Sequence, residues 1–177
     1  MQDFGDIRQI GYVCRDAGKS LQRWIDKGAL GPCILYRNLT LPMLYRGELS
    51  LVSMHVGLGF RGPLQIEFIE QTNDAPSPYL ACYQGGNTGL HHIAFATRDM
   101  TRSLTTARQR GYDIVATIDG ASGRYAYFQD PELPDTYYEF LELAPATEAY
   151  WEQCIAQSRA QDGPAAITAV DMSTLQP

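Results

Sequence analysis

The chain has no apolar run long enough to cross a bilayer, because its hydrophobic stretches are short and broken by Arg, Gly and Pro. It has no Cys-x-x-Cys pair, and its four cysteines, Cys14, Cys33, Cys82 and Cys154, stand far apart. That spacing suggests neither a zinc ribbon nor a disulfide framework; reduced thiols are the expectation. Positive charge is in the minority. Against 20 Asp and Glu there are 14 Lys and Arg, a formal charge of −6. Nucleic acid and anionic membrane surfaces reward a basic face, so neither is expected as a partner. The opening residues, Met1 to Asp6, are acidic and lack an apolar core, so no secretory signal is expected, and the expected reduced thiols go with a cytoplasmic location. Histidine is scarce as well: only His55, His91 and His92 occur.

Apolar residues make up 45% of the 177, enough for the core of one ordinary domain or of two small repeated halves. The repeat is legible. Gln9-Ile10-Gly11-Tyr12-Val13-Cys14-Arg15-Asp16 aligns with His92-Ile93-Ala94-Phe95-Ala96-Thr97-Arg98-Asp99. The same offset carries Ser20-Leu21 onto Ser103-Leu104, and Lys27-Gly28 onto Arg110-Gly111. Further on, Ile66-Glu67-Phe68-Ile69-Glu70 corresponds to Tyr138-Glu139-Phe140-Leu141-Glu142. Two matches in the same order point to a duplicated unit.

Each half reads as strand, helix, then three strands. In the first half, 7–14 is rich in β-branched and aromatic residues, and Asp16 is a natural N-cap. Leu21, Trp24 and Ile25 take helical spacing over 17–27, and Gly28 stops the helix. Strands are expected over 33–41, 48–60 and 64–70. The second half gives strand 91–97, helix 100–110, and strands 112–118, 123–129 and 136–143. The division is therefore 1–71 for the first module, 72–89 for a Gly-, Pro- and Asn-rich linker, and 90–144 for the second module. A terminal helix follows to residue 160, then a tail over 161–177 with little to bury.

Strand alternation sorts the polar residues. Gln9, Gly11 and Val13 share one face of the first strand, while Ile10, Tyr12 and Cys14 lie under the helix. His92 follows Gln9 in the second half, and Glu67 and Glu139 fall on the same inner side. Two carboxylates in a partly dry cleft repel one another and lose hydration unless something positive joins them. A divalent cation supplies that charge, and Gln9, Glu67, His92 and Glu139 would form a nearly neutral shell around it. Strict alternation also sends His91 to the face opposite His92. His55 reads as structural, or as a substrate contact if strand 48–60 lines the cavity. Tyr36, Met54, Tyr125 and Tyr127 lie on interior strands and could line a pocket. Glu70 and Glu142 read as surface charges at strand ends.

These residues resemble those that mark the vicinal oxygen chelate superfamily, which includes glyoxalase I, methylmalonyl-CoA epimerase and extradiol dioxygenases. Ile7-Arg8-Gln9-Ile10-Gly11-Tyr12-Val13 looks like its first strand and Gly89-Leu90-His91-His92-Ile93-Ala94-Phe95 like its fifth. Phe128-Gln129-Asp130-Pro131 followed by Tyr138-Glu139-Phe140-Leu141 looks like its closing hairpin. The resemblance covers residues 7 to about 144 and is nearest the glyoxalase-like and epimerase-like members. It implies an α+β fold in which two βαβββ modules form a half-open, mostly antiparallel β-barrel, with helices outside, around a metal site. By position, Gln9, Glu67, His92 and Glu139 match the four metal ligands. The implied cofactor is one divalent ion: Zn, Ni, Co, Mn or Mg. The implied chemistry is an isomerase, epimerase or lyase that moves a proton α to a carbonyl, with Glu67 or Glu139 as base and an enediolate or enolate stabilised on the metal. The implied partners are a small carbonyl or acyl substrate and a second copy of the chain, with Trp151 as a possible dimer contact. A lactoylglutathione lyase-like enzyme and a non-catalytic, bleomycin-resistance-like binder are the alternatives. An Fe(II) dioxygenase is disfavoured, since it wants two histidines beside one carboxylate.

Overall fold

The computed structural model describes residues 4–28, 30–134 and 136–174. The first module is β1 (Ile7–Val13), α1 (Ala17–Asp26), β2 (Cys33–Tyr45), β3 (Glu48–Arg61) and β4 (Leu64–Gln71). The second is β5 (Gly89–Ala96), α3 (Met100–Gln109), β6 (Asp113–Gly120), β7 (Gly123–Gln129) and β8 (Tyr137–Leu143). Between them lies a short helix, α2 (Pro78–Gln84), and after them α4 (Pro145–Ala160), β9 (Ile167–Asp171) and a 3-10 turn at Met172–Thr174. The α+β fold with two βαβββ modules is the one the sequence implies.

Within each module the first strand pairs parallel with the last, β1 with β4 and β5 with β8. The other pairings of the modules are antiparallel hairpins. The modules join edge to edge where β1 runs antiparallel to β5. A second junction is narrow: β2 meets β6 only through Leu44 opposite Thr117 and Tyr45 opposite Ala116. Together these pairings close a barrel of eight strands, and β9 adds to the free edge of β2. The first module has the longer hairpin: β2 and β3 have 13 and 14 residues against 8 and 7 in β6 and β7.

Helices α1 and α3 cover the outside. Leu21 and Ile25 of α1 pack on Leu35, Ile66 and Phe68; Met100 and Ala107 of α3 pack on Ala126, Phe128 and Phe140. The helix starts repeat as the sequence does. Asp16 accepts from Lys19 N, and Asp99 from Arg102 N. Glu70 accepts from Ala17 N at 2.9 Å and Glu142 from Met100 N at 3.1 Å. The two glutamates read as surface charges thus serve the open amides at each helix start, where the partial positive charge of the helix favours them.

Two segments depart from expectation. The 72–89 linker holds α2, started by Ser77, whose side chain accepts from Leu80 N, with Pro78 in the first turn. The tail over 161–177 was given little to bury, yet β9 pairs with β2 from Cys33 to Arg37. Among the described residues, no helix is long and apolar enough to cross a membrane.

Candidate functional site

The barrel interior is apolar at both ends and polar in the middle. At one end Met43, Met54, Val56, Val115, Tyr79 and Tyr137 pack together, with Tyr79 supplied by α2. At the other, Phe60, Ala94 and Leu141 are covered by Trp151, Cys154 and Ile155 of α4. Between them Gln9, Glu67, His92 and Glu139 meet. His92 Nε2 lies 3.2 Å from Gln9 Oε1, 3.4 Å from Glu67 Oε2 and 3.2 Å from Glu139 Oε2. The inner-face sorting of these four is what the strands deliver. The His92 ring lies on Gly11, its partner across the β1–β5 seam; a Cβ there would stand 1.8 Å from the ring. Only glycine lets the imidazole take that place.

Burial sets the electrostatics. The His92 side chain is 0% exposed, that of Glu139 4% and that of Glu67 15%. Burial pushes the Glu139 carboxyl up to about 8, with the Glu67 charge adding to the rise and His92 opposing it. Burial alone would lower His92, but Glu139 and Glu67 outweigh it and hold its pKa above the ordinary value. The Tyr127 hydroxyl favours ionised Glu139 by hydrogen bonding and itself accepts from the Tyr79 hydroxyl at 2.9 Å. Glu139 Oε2 is buried with no hydrogen bond among the described residues and lies 3.2 Å from His92 Nε2.

One oxygen from each of Gln9, Glu67 and Glu139 therefore closes on a single imidazole nitrogen, an oxygen-rich set with one nitrogen that suits a hard or borderline divalent cation. As the side chains stand they touch one another. Among the described residues, no group of three or more His, Cys, Asp and Glu is spread to hold an ion. The donor chemistry and the Glu139 oxygen that lacks a hydrogen bond fit a cation; the spacing would have to open to admit one.

The pocket residues divide. Met54 and Tyr127 are buried inside the barrel, and Tyr36 and Tyr125 are half-buried against the same interior. His55 is not with them. It sits on the alternate face of β3, and its Nδ1 accepts from Asn38 N at 3.1 Å. A register shift in β2 between Tyr36 and Leu39 brings the Asn38 amide there, so His55 holds a bulge instead of facing substrate.

Strict alternation fails at His91. The β1–β5 register slips twice, leaving Arg8 unpaired in β1 and His91 unpaired in β5. A bulge puts two consecutive side chains on one side. His91 therefore turns inward beside His92, with their Nδ1 atoms 3.0 Å apart, and stacks on Tyr137 at 4.7 Å. It is 3% exposed, not on the convex face, and burial drives its pKa well below the ordinary value, with His92 adding to the fall. Arg8 holds the matching place in the first half. The one sequence signal was an adjacent His-His pair where alternation would send one imidazole into an apolar layer. Gln65 was also missed: it is 1% exposed and accepts from Gln9 Nε2 at 2.7 Å.

The model of one protein family, described as the Glyoxalase/Bleomycin resistance protein/Dioxygenase superfamily, matches residues 8–128. A comparison with curated proteins gives no match. Solved structures with the same fold include a hypothetical protein from Bacillus halodurans C-125, at 18% identity and TM-score 0.56, covering 77% of this chain and 92% of that one. A variant methylmalonyl-CoA epimerase of Streptomyces coelicolor, in complex with 2-nitronate-propionyl-CoA, matches at 17% identity and TM-score 0.56, covering 80% and 96%. The methylmalonyl-CoA epimerase of Mycobacterium tuberculosis matches at 13% and 0.57, covering 81% and 91%.

Proposed function

The chain belongs to the Glyoxalase/Bleomycin resistance protein/Dioxygenase superfamily, and from that premise we propose that it is a divalent-metal-dependent isomerase, epimerase or lyase that moves a proton α to a carbonyl. The observation that carries the reading is the meeting of Gln9, Glu67 and Glu139 oxygens within 3.4 Å of His92 Nε2. Gln9, Glu67, His92 and Glu139 would hold the cation, which when bound polarises a carbonyl and offsets the charge left as the α-proton departs. The chain supplies the rest. Glu67 and Glu139 come from β4 and β8, which correspond in the repeat, so the two carboxyls can address a substrate carbon from two sides, as proton exchange at a stereocentre requires. Trp151 and Ile155 of α4, with Phe60, exclude water from one end. Epimerases of this fold are named for acyl-CoA compounds, and an acyl thioester is the substrate class we propose.

A non-catalytic binder is the second reading, favoured by the mutual contact of the four side chains, which are not spread to hold an ion. Elemental analysis and solvent-deuterium exchange separate the two. The enzyme reading expects about one divalent ion per chain and deuterium entering the α-carbon of an acyl thioester; a chain that binds ligand with neither overturns it. Unchanged exchange in Glu139→Gln would remove that residue as the base. A cytoplasmic homodimer completes the proposal, and light scattering at 19.7 kDa, the mass of one chain, would refute the dimer.

A further inference from the structure

Beside α4, where the Arg8 guanidinium lies over Trp151, two donor atoms have nothing to bind. Arg8 Nε and Gln65 Nε2 are both buried and lack a hydrogen-bond partner among the described residues. Both flank Gln9. Arg8 precedes it in the bulge that turns its side chain toward α4, and Gln65 sits opposite it on β4. The orientation of Gln65 is fixed by its neighbours. Gln9 Oε1 faces His92 Nε2, so Gln9 Nε2 must point to Gln65, whose Oε1 accepts at 2.7 Å. The remaining Gln65 nitrogen has both protons to give. Leaving such donors buried and unpaired forfeits their hydration without return, so their retention calls for an acceptor.

The surroundings define that acceptor. Trp151 roofs the place: its ring lies 5.6 Å from Phe60, the residue opposite Gln65, and the Arg8 guanidinium sits 5.9 Å over it. Arg8 Nη2 is already engaged by a carboxylate, Glu152 Oε1 of α4, at 3.0 Å. That carboxylate is 60% exposed and leaves Nε unused. A ligand carboxylate could use Nε and Nη2 side by side, the paired geometry a guanidinium favours, and take a third bond from Gln65.

We propose that Arg8 and Gln65 form a subsite for an anionic oxygen group of the substrate, a carboxylate, beneath Trp151, and that Glu152 holds the place of that carboxylate until the ligand displaces it. The substrate class is thereby narrowed to carbonyl compounds bearing a carboxylate. The proposal rests on the reading of the Gln9–Glu67–His92–Glu139 cluster as the reacting centre, but its test needs neither turnover nor metal. The chain has two tryptophans. In a Trp24→Phe background, Trp151 alone reports on the subsite.

Malonate is titrated into that apoprotein at low ionic strength and Trp151 fluorescence is read, with acetamide as the neutral control. Malonate should change the emission saturably and acetamide should not. Arg8→Met and Gln65→Leu should each weaken malonate binding about tenfold or more, as expected for hydrogen bonds to a charged group. Glu152→Gln should strengthen it up to about fivefold, the value of a partly exposed ion pair. Gln65→Glu, nearly isosteric, reverses the donor and should abolish binding even if Gln65→Leu fails to fold. Malonate affinity unchanged from the parent in Arg8→Met or in Gln65→Glu, weaker binding in Glu152→Gln, or no malonate response in Glu152→Gln would each overturn the subsite. Loss of deuterium exchange with malonate binding intact would overturn the enzyme reading and leave the subsite standing.

Discussion

At the scale of single residues, the cluster is a set of groups whose burial works against their charge. Glu139 keeps its proton up to about 8, against an ordinary 4.5, and His92 is also held above its usual value. Both groups then bind protons more tightly in the folded chain than in the unfolded one. The sign follows: the resulting stabilisation is complete at low pH and is lost as pH rises from about 4.5 to about 8. With a chelator present, Glu139→Gln should remove most of that loss, so its urea midpoint should gain on the parent between about pH 5 and about pH 8. A parent midpoint flat across that window would show that the carboxyl ionises freely. Alternation was enough to place Gln9, Glu67, His92 and Glu139 on one inner face. It misplaced His91, because an extra residue in a strand depends on the register of its neighbour and left no local sign but the His-His pair itself.

At the scale of elements, the repeat was legible because it is written in caps and periodicity. Asp16 and Asp99, Glu70 and Glu142 do the same work one repeat apart. Asp16→Ala and Asp99→Ala should each cost about 1 kcal/mol. Being in separate modules, they should add to about 2 kcal/mol in the double variant, measured by chemical denaturation. A double variant no worse than either single would mean that the modules unfold apart. The elements that escaped sequence reading are those made by context. Helix α2 carried its own start signal, Ser77-Pro78, but Gly- and Asn-rich flanks masked a helix of 7 residues. Strand β9, 5 residues long, is defined by the free edge of β2, a partner more than a hundred positions away in sequence. The pocket reading of His55 failed for a similar reason, since the bulge it supports belongs to the opposite strand.

At the scale of the molecule, the two modules meet broadly at β1–β5 and narrowly at β2–β6. Each contributes half of the cluster: Gln9 and Glu67 from the first, His92 and Glu139 from the second. Anything that binds all four residues binds only when the halves are docked, and so stabilises the folded chain by mass action. Zinc at 100 times its dissociation constant should add about 2.7 kcal/mol and raise the melting temperature by several degrees. The gain should shrink in Glu67→Gln or Glu139→Gln. A melting temperature indifferent to zinc, manganese, cobalt, nickel and magnesium would remove the cation from the proposal.

Gly11 has a consequence that reaches past its own position. Because the His92 imidazole rests on its bare α-carbon, a single hydrogen atom in one half determines whether the other half can seat its ring. The two duplicated copies are therefore no longer interchangeable. Ala94, which answers to Gly11 in the second copy, already carries the methyl group that the first cannot accept, so a chain built from two second halves would jam at its own seam.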